Sequence, residues 1–155
     1  MRLAPYQLDI PQNAGTMLRL GACLGVGVDV IEPCGFIWDD KRLRRAGMDY
    51  LDQVDLVRYR SWQHFLEARA PGRLVLLTTQ GAIRHDTASF AATDTLLLGR
   101  ESAGVPLDVH QSADLRIRIP LTPVARSLNV AVAAAIVLGE ALRQTDQYPE
   151  DLAAP

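Results

Sequence analysis

Residues 115–144 read LRIRIPLTPVARSLNVAVAAAIVLGEALRQ, and they join a strand pattern directly to a helix pattern. Leu115, Ile117 and Ile119 alternate with Arg116 and Arg118. This alternation predicts a strand with one buried face, because successive side chains of a strand point to opposite sides of the sheet.

A helix is predicted after this strand. Pro120 and Pro123 end the strand, because proline has no amide hydrogen to donate to a sheet. A long alanine-rich run follows, with Ser127 as the predicted N-cap and Arg143 favourable at the negative end of the helix dipole. Residues 130–138 have almost no polar side. We therefore expect the sheet to cover one side of this helix and a second subunit to cover the other.

Polar side chains gather between the end of the strand and the start of the helix, at Thr122, Arg126, Ser127 and Asn129. In open α/β sheets, ligands bind beyond the carboxyl ends of the strands, often at a helix N-terminus. The sequence therefore predicts a ligand site here.

The size and composition suit one folded domain. The chain has 155 residues, of which 48% are hydrophobic, and we expect a single domain over residues 1–147 with a tail at 148–155. No uninterrupted apolar run reaches the length of about 18 residues that a membrane span needs. The N-terminus has no apolar segment typical of a signal peptide, so a cytoplasmic location is expected.

Charge and ligand spacing restrict the function further. The net charge of −2 argues against nucleic-acid binding through bulk charge, although it allows a local basic patch. The two cysteines lack metal-site spacing and are interpreted as thiols in a reducing compartment. The three histidines are scattered, so no metal is expected.

Apolar strand patterns alternate with helical ones along the chain. Further strands are predicted at 2–8, 26–31, 55–59, 74–78 and 95–98, and further helices at 16–24, 38–47 and 61–70. Pro5 predicts that the first strand is short or at an edge. Ser61 is the predicted N-cap of the 61–70 helix, whose core face carries Trp62, Phe65 and Leu66. The alternation predicts an α/β fold, a mostly parallel sheet with helices on both faces.

Two further segments could bind a ligand. Lys41, Arg42, Arg44 and Arg45 are four cations in five residues, which suits either a solvated helix end or a phosphate-binding patch. Residues 99–106, GRESAGVP, follow a strand, and their glycines allow the backbone to approach a ligand closely. Three strands, ending near residues 78, 99 and 120, should deliver polar loops to one edge of the sheet. Phosphate-loop, nucleophile-elbow and zinc-protease motifs are absent from the sequence.

Three segments together resemble the motifs of the SPOUT-class RNA 2′-O-ribose methyltransferases. The first motif is Asn13-Ala14-Gly15 with Arg19, the second is LGRESAGVP at 98–106, and the third is Ile119-Pro120 with RSLNV at 126–130. The short chain and IEPCGFIWDDKRLRRAGMDY at 31–50 resemble the small members that modify the tRNA wobble position. The resemblance implies transfer of a methyl group from S-adenosylmethionine to the 2′-OH of a wobble cytidine or uridine in leucine tRNAs. It also implies a C-terminal deep trefoil knot, a homodimer and a grip on the tRNA anticodon arm.

The resemblance also implies roles for individual residues. Leu77, Gly99, Ile119 and Ser127 would contact the cofactor. The positions used for catalysis and its support correspond to Asn13, Arg19, Glu101, Ser127 and Asn129, and the RNA-binding candidates are Lys41, Arg42, Arg44, Arg45, Arg100 and Arg126.

Some roles stay open at this point. Arg19 would activate the ribose hydroxyl or clamp a phosphate, since a guanidinium pKa above about 12 makes a neutral arginine costly. Ser127 would serve the cofactor or cap the helix, and Asn129 would orient Arg19 or the helix start. Family members often carry proline at Arg100, which would contact RNA or alter the stiffness of its loop.

Other functions remain as alternatives. A related enzyme acting on another tRNA or rRNA nucleotide would share these motifs. A catalytically silent RNA-binding module would keep the fold but need not keep the motif residues. A nucleotide- or flavin-binding domain is disfavoured by the missing phosphate loop.

Overall fold

The structure is a computed structural model, and it describes residues 1–39 and 52–150. Its strands are β1 (Arg2–Pro5), β2 (Gly27–Ile31), β3 (Leu56–Tyr59), β4 (Leu74–Leu77), β5 (Ile83–Arg84), β6 (Thr95–Leu98) and β7 (Leu115–Arg118). Its helices are α1 (Pro11–Leu24), α2 (Trp62–Ala68), α3 (Leu107–Ser112) and α4 (Val130–Thr145).

The seven strands form one sheet in the order β3-β2-β1-β6-β4-β7-β5. Every strand pair within this sheet is parallel, so the predicted parallel architecture is confirmed. The carboxyl ends of all strands therefore lie at one edge of the sheet. The predicted ligand site needs this arrangement, because its loops follow three different strands.

Helices cover both faces of the sheet. On one face, α1 and α4 pack Met17 and Leu138 against strand residues that include Leu96. On the other face, Phe65 of α2 packs with strand residues that include Leu97. Neighbouring residues of one strand thus enter opposite cores, because side chains alternate across a strand.

The N-terminal elements differ from the sequence prediction in two ways. Helix α1 begins at Pro11, with Ile10 as its N-cap in an extended conformation, rather than at residue 16. Proline suits the first helical position because the amide there has no intrahelical partner. Strand β1 is short, as predicted, but it lies between β2 and β6 and not at an edge. Pro5 is the last residue of the strand, and pairing continues past it through the amides of Tyr6 and Gln7, which donate to the Leu98 and Ile31 carbonyls.

Helix α2 is confirmed with one correction. Ser61 is its N-cap, and the Ser61 hydroxyl accepts a hydrogen bond from the His64 amide at 3.1 Å. Phe65 is fully buried, but Leu66 is 37% exposed and does not belong to the core face. Strand β5 and helix α3 were not predicted, since each is short. The helix predicted at 38–47 lies outside the described residues, apart from Trp38 and Asp39.

The start of helix α4 was predicted wrongly. Its N-cap is Asn129, whose Oδ1 accepts hydrogen bonds from the amides of Ala131 at 2.9 Å and Val132 at 3.2 Å. Ser127 lies before the helix. Both residue types cap helices well, so the pattern alone did not distinguish them.

Two peripheral features complete the description. The side chains of Val132 and Ile136 on α4 are 49% and 39% exposed, so one apolar side of this helix is uncovered within the chain. The Tyr148 hydroxyl donates a hydrogen bond to the Gly139 carbonyl at 3.0 Å, while the domain boundary at 147 stays a prediction. Across the described ranges, no helix is both long and apolar enough to cross a membrane.

Candidate functional site

Three neighbouring strands end beside one another at the carboxyl edge of the sheet. Leu77 of β4 is in register with Leu98 of β6 and with Ile117 of β7. The loops that follow these strands border a cavity of about 500 Å³, within the usual size of small-molecule sites. Its lining includes Asn13, Leu77, Gly99, Glu101, Ile119, Ser127 and Asn129. The structure therefore brings together all four predicted cofactor-contacting residues and four of the five predicted catalytic or supporting ones.

The loop after β6 forms a tight turn whose backbone faces this cavity. The Arg100 amide donates to the Gly104 carbonyl at 3.0 Å, and the Gly104 amide donates back to the Arg100 carbonyl at 2.9 Å. A Cβ atom on Gly99 would lie 2.6 Å from the Gly104 carbonyl carbon. Gly104 itself has a φ of +65°, which favours glycine. Both glycines are thus needed for the turn.

A chain of side-chain hydrogen bonds links the first, second and third motifs. Asn13 Nδ2 donates to Glu101 Oε1 at 2.7 Å, and Asn129 Nδ2 donates to Asn13 Oδ1 at 2.9 Å. Asn129 Oδ1 in turn caps α4. The side chain of Asn13 is buried, and these two bonds give its amide nitrogen and its amide oxygen partners inside the protein. This network fixes the start of α1, the loop after β6 and the start of α4 relative to one another.

Asp9 is part of the same network, although sequence reasoning did not identify it. Its amide donates to Glu101 Oε2 at 2.7 Å, and its Oδ2 accepts from the Ser102 amide at 2.9 Å. Hydrogen bonds from the Ser102 side chain and amide lower the pKa of Asp9, which favours the charged form. Its position just after β1, at the same edge as the other loops, was the available signal.

Arg100 lines the cavity but bends back toward β1. Its Nη2 donates to Gln7 Oε1, and its guanidinium carbon lies 5.7 Å from the centre of the Tyr6 ring. The Arg100 Nε atom is buried without a hydrogen-bond partner. These contacts support a structural role in the turn and leave its predicted contact with RNA untested.

Of the remaining predicted site residues, Arg19 and Arg126 do not border the cavity. Arg19 is exposed on α1, six residues after Asn13, which at about 100° per residue places it about 120° away around the helix axis. Arg126 is exposed before α4. Lys41, Arg42, Arg44 and Arg45 lie outside the described residues.

The chemistry of this cavity is that of an organic ligand site. Apolar side chains at the strand ends, including Leu77, Ile117 and Leu121, stand beside the backbone of the Gly99 turn. Such a slot suits a flat aromatic ring that also needs hydrogen bonds from peptide groups. In the part of the chain that the structure describes, no cluster of three His, Cys, Asp or Glu residues is arranged to hold a metal ion.

Comparison with known proteins agrees with this geometry. Residues 1–139 match the SpoU rRNA Methylase family, and the chain belongs to that family. It is 57% identical to the tRNA (cytidine(34)-2'-O)-methyltransferase of Beijerinckia indica, covering 99% of this chain and 97% of that protein.

Two solved structures are also similar. One, reported under "Structural insights into the 2-OH methylation of C/U34 on tRNA", has a TM-score of 0.86 at 40% identity, covering 92% of this chain and 94% of the other. The SpoU methyltransferase AviRb of Streptomyces viridochromogenes, in complex with AdoMet, has a TM-score of 0.82 at 28% identity. That alignment covers 93% of this chain and 57% of AviRb.

Proposed function

We propose that this protein transfers a methyl group from S-adenosylmethionine to the ribose 2′-OH of the wobble nucleotide, cytidine or uridine, of a tRNA. The Glu101–Asn13–Asn129 network at the border of the strand-end cavity carries the proposal, because it joins the three motifs in one place. The name of the Beijerinckia relative and the subject of the C/U34 structure support the substrate and the position. Leucine tRNAs are the substrates that the motif resemblance favours.

The cavity residues fit the cofactor. Leu77 and Ile119 offer apolar surface for an adenine ring, and the close-packed backbone at Gly99 offers peptide groups beside it. AviRb, which shares this fold, was solved with AdoMet. Ser127 also lines the cavity and does not cap α4, so of its two open roles we assign it contact with the cofactor.

The polar network would position the reacting groups. S-adenosylmethionine would supply a methyl group on a positively charged sulfur. The ribose oxygen would form a bond to this methyl as the sulfur–methyl bond breaks, which leaves neutral S-adenosylhomocysteine, and the hydroxyl proton would pass to solvent. Both oxygens of Glu101 already accept hydrogen bonds, so we assign Glu101 the role of holding Asn13 and the turn in place. Correct alignment of oxygen, methyl carbon and sulfur accounts for much of such a rate acceleration.

Arg19 would act in the cavity of a partner subunit. It lies away from the cavity of its own chain, and α4 leaves Val132 and Ile136 exposed as an apolar patch. A twofold dimer that buries this patch would cover the last helix, as the sequence predicted. We propose that Arg19 then clamps a phosphate or polarises the ribose hydroxyl beside the partner's bound cofactor.

Mixed dimers test this arrangement. Arg19→Ala chains and Glu101→Ala chains, each inactive alone, are unfolded and refolded together. If Arg19 acts across the interface, random pairing restores about a quarter of the wild-type activity, because half of the dimers each hold one complete site. If Arg19 acts within its own chain, no mixed dimer is active.

The C-terminal helix would be threaded through a loop, forming the trefoil knot. The segment between β5 and β6 contacts the end of α4: Gln144 Nε2 donates to the Ala88 carbonyl at 2.9 Å, and Gln144 Oε1 accepts from the Phe90 amide at 3.0 Å. Strand β7, which precedes α4, lies between β4 and β5. These contacts support a threaded arrangement, a topology that is very rare in general.

RNA would be held by cations around this site. We propose that Arg100, Arg126 and the cluster Lys41, Arg42, Arg44 and Arg45 contact the anticodon arm. A dimer would present the cluster twice, so that a chain of net charge −2 can still hold an RNA locally.

One experiment tests the reaction. The purified protein is incubated with methyl-labelled S-adenosylmethionine and tRNA from a strain that lacks it, and the modified nucleotide is mapped. We expect label on the ribose of nucleotide 34, and no label on a matched transcript carrying 2′-deoxyribose there. Label at another tRNA or rRNA nucleotide would reassign the substrate, and no transfer would favour a silent RNA-binding module.

A further inference from the structure

A second surface at the same edge of the sheet has the composition of a base-stacking site. Phe36 and Trp38 have ring centres 6.0 Å apart and planes inclined by 26°. The Arg58 guanidinium carbon lies 4.9 Å from the centre of the Trp38 ring. We call Phe36, Trp38 and Arg58 the stacking surface. It is separate from the cavity, whose lining includes none of the three.

This surface is attached to the network of the candidate active site. The segment that carries Phe36 and Trp38 follows β2, and within it the Gly35 amide donates to the Leu8 carbonyl at 2.8 Å. A Cβ atom on Gly35 would lie 3.0 Å from the Cα atom of Asp9, and Asp9 donates its amide to Glu101. A nucleotide whose ribose reaches the cofactor at the border of the cavity would therefore have neighbours within reach of the stacking surface.

Arg58 is held in a way that suits a base better than a phosphate. Its Nη2 donates to Glu32 Oε1, so the guanidinium already has a carboxylate partner. Trp38 occupies one side of the guanidinium, while the Arg58 side chain is still 39% exposed. Unpaired RNA bases stack on aromatic rings and on the planar guanidinium of arginine, and this contact depends on the plane of the group as well as on its charge.

We propose that the stacking surface receives an unpaired base of the RNA adjacent to the methylated nucleotide, with the base lying on the side of Arg58 that faces away from Trp38. This inference rests on the proposed function, because it takes the substrate to be an RNA loop. It adds a residue, Arg58, that sets which ribose is presented to the cofactor by holding the neighbouring base.

The test uses the whole protein and a synthetic anticodon stem–loop, with binding followed by fluorescence anisotropy. We expect Arg58→Ala to weaken binding at least about fivefold, the factor expected for loss of one base stack. Arg58→Lys should lose nearly as much, because an ammonium keeps the charge but not the plane. If Arg58 contacted a phosphate instead, Arg58→Lys should keep most of the binding affinity, because lysine also binds phosphate. Arg60→Lys, two residues further along the chain, is the matched control and should bind like the wild type.

Abasic RNAs complete the test. A single abasic nucleotide is placed in turn at each loop position next to nucleotide 34. At the position whose base stacks on Arg58, the abasic RNA should bind the wild type more weakly. On that RNA, the wild type and Arg58→Lys should have the same affinity. Equal differences on every abasic RNA would overturn the stacking role. If the wild type methylates nucleotide 34 but Arg58→Lys binds normally, only this inference fails; a wild type that binds no stem–loop contradicts the proposed function as well.

Discussion

Asn13 connects parts of the chain that are far apart in sequence. Its amide nitrogen donates to Glu101, 88 positions away, and its amide oxygen accepts from Asn129, 116 positions away. An amide supplies a donor and an acceptor on two separate atoms of one short side chain. An aspartate here would place a second carboxylate against Glu101, and an alanine would remove both bonds that join Glu101 and Asn129 through Asn13.

Arg19 offers a test of catalysis at the level of one residue. We expect Arg19→Ala to abolish methyl transfer while cofactor binding, measured by calorimetry, stays nearly unchanged, because Arg19 lies outside the cavity lining of its chain. Thr16→Ala, an exposed change on the same helix, is the control. Parallel loss of cofactor binding in Arg19→Ala would assign Arg19 to folding or to a cofactor contact.

Cys34 should react slowly with alkylating reagents. Burial, followed by the charge of Glu32, raises the pKa of the Cys34 thiol to about 11, so near pH 8 only about one thiol in a thousand is ionised. Since the thiolate is the reactive form, its alkylation by iodoacetamide should accelerate about tenfold per pH unit up to that pKa. Mass spectrometry of the Cys23→Ser variant isolates this rate. A rate independent of pH would contradict the expectation.

At the scale of elements, α4 depends on its cap. Asn129→Ala removes the acceptor for two helix amides and the donor to Asn13, so we expect a loss of about 1–2 kcal/mol in the free energy of unfolding. Urea unfolding without cofactor, at fixed protein concentration, measures it. Ser127→Ala is the matched control and should cost less than about 0.5 kcal/mol. A larger loss of unfolding free energy in Ser127→Ala than in Asn129→Ala would identify Ser127 as the cap.

The basic cluster at residues 41–45 also has a testable role. Replacing Lys41, Arg42, Arg44 and Arg45 by glutamine should weaken tRNA binding and flatten its dependence on salt, because each phosphate contact releases counterions. Binding is measured at several salt concentrations. An unchanged slope would mean that these residues form only a solvated surface. The quadruple substitution of Arg60, Arg69, Arg84 and Arg143 to glutamine controls for the change in net charge.

At the scale of the whole molecule, we expect the apolar side of α4 to be an interface. Ile136→Glu places a charge on this side and should shift the protein from dimer to monomer in sedimentation experiments, with loss of methyl transfer. Leu66→Glu is the matched control, since Leu66 is 37% exposed where Ile136 is 39% and belongs to the helix on the opposite face. A monomeric wild type would contradict both the dimer and the action of Arg19 across it.

Local patterns accounted for most of the strands and for the location of the site. Strand Thr95–Leu98 was predicted with its observed bounds, because a short apolar run between turn residues has few other stable arrangements. The residue that caps α4 could not be chosen from the local pattern, because two nearby residues offer the same chemistry. Ser127 and Asn129 both cap helices, and Asn129 was selected by its second bond to Asn13, a partner that no local window contains.

By itself, the sequence determined the parallel α/β sheet, the edge where its loops converge and the three motifs of the family. Those properties follow from hydrophobic periodicity and from residue types at fixed spacings, which act over a few neighbouring positions. Only the tertiary structure decided that Glu101, Asn13 and Asn129 form one network, that Asp9 joins it, and that Arg19 does not line the cavity. Long-range packing makes those choices, because it alone sets which side of each element faces a partner distant in the chain.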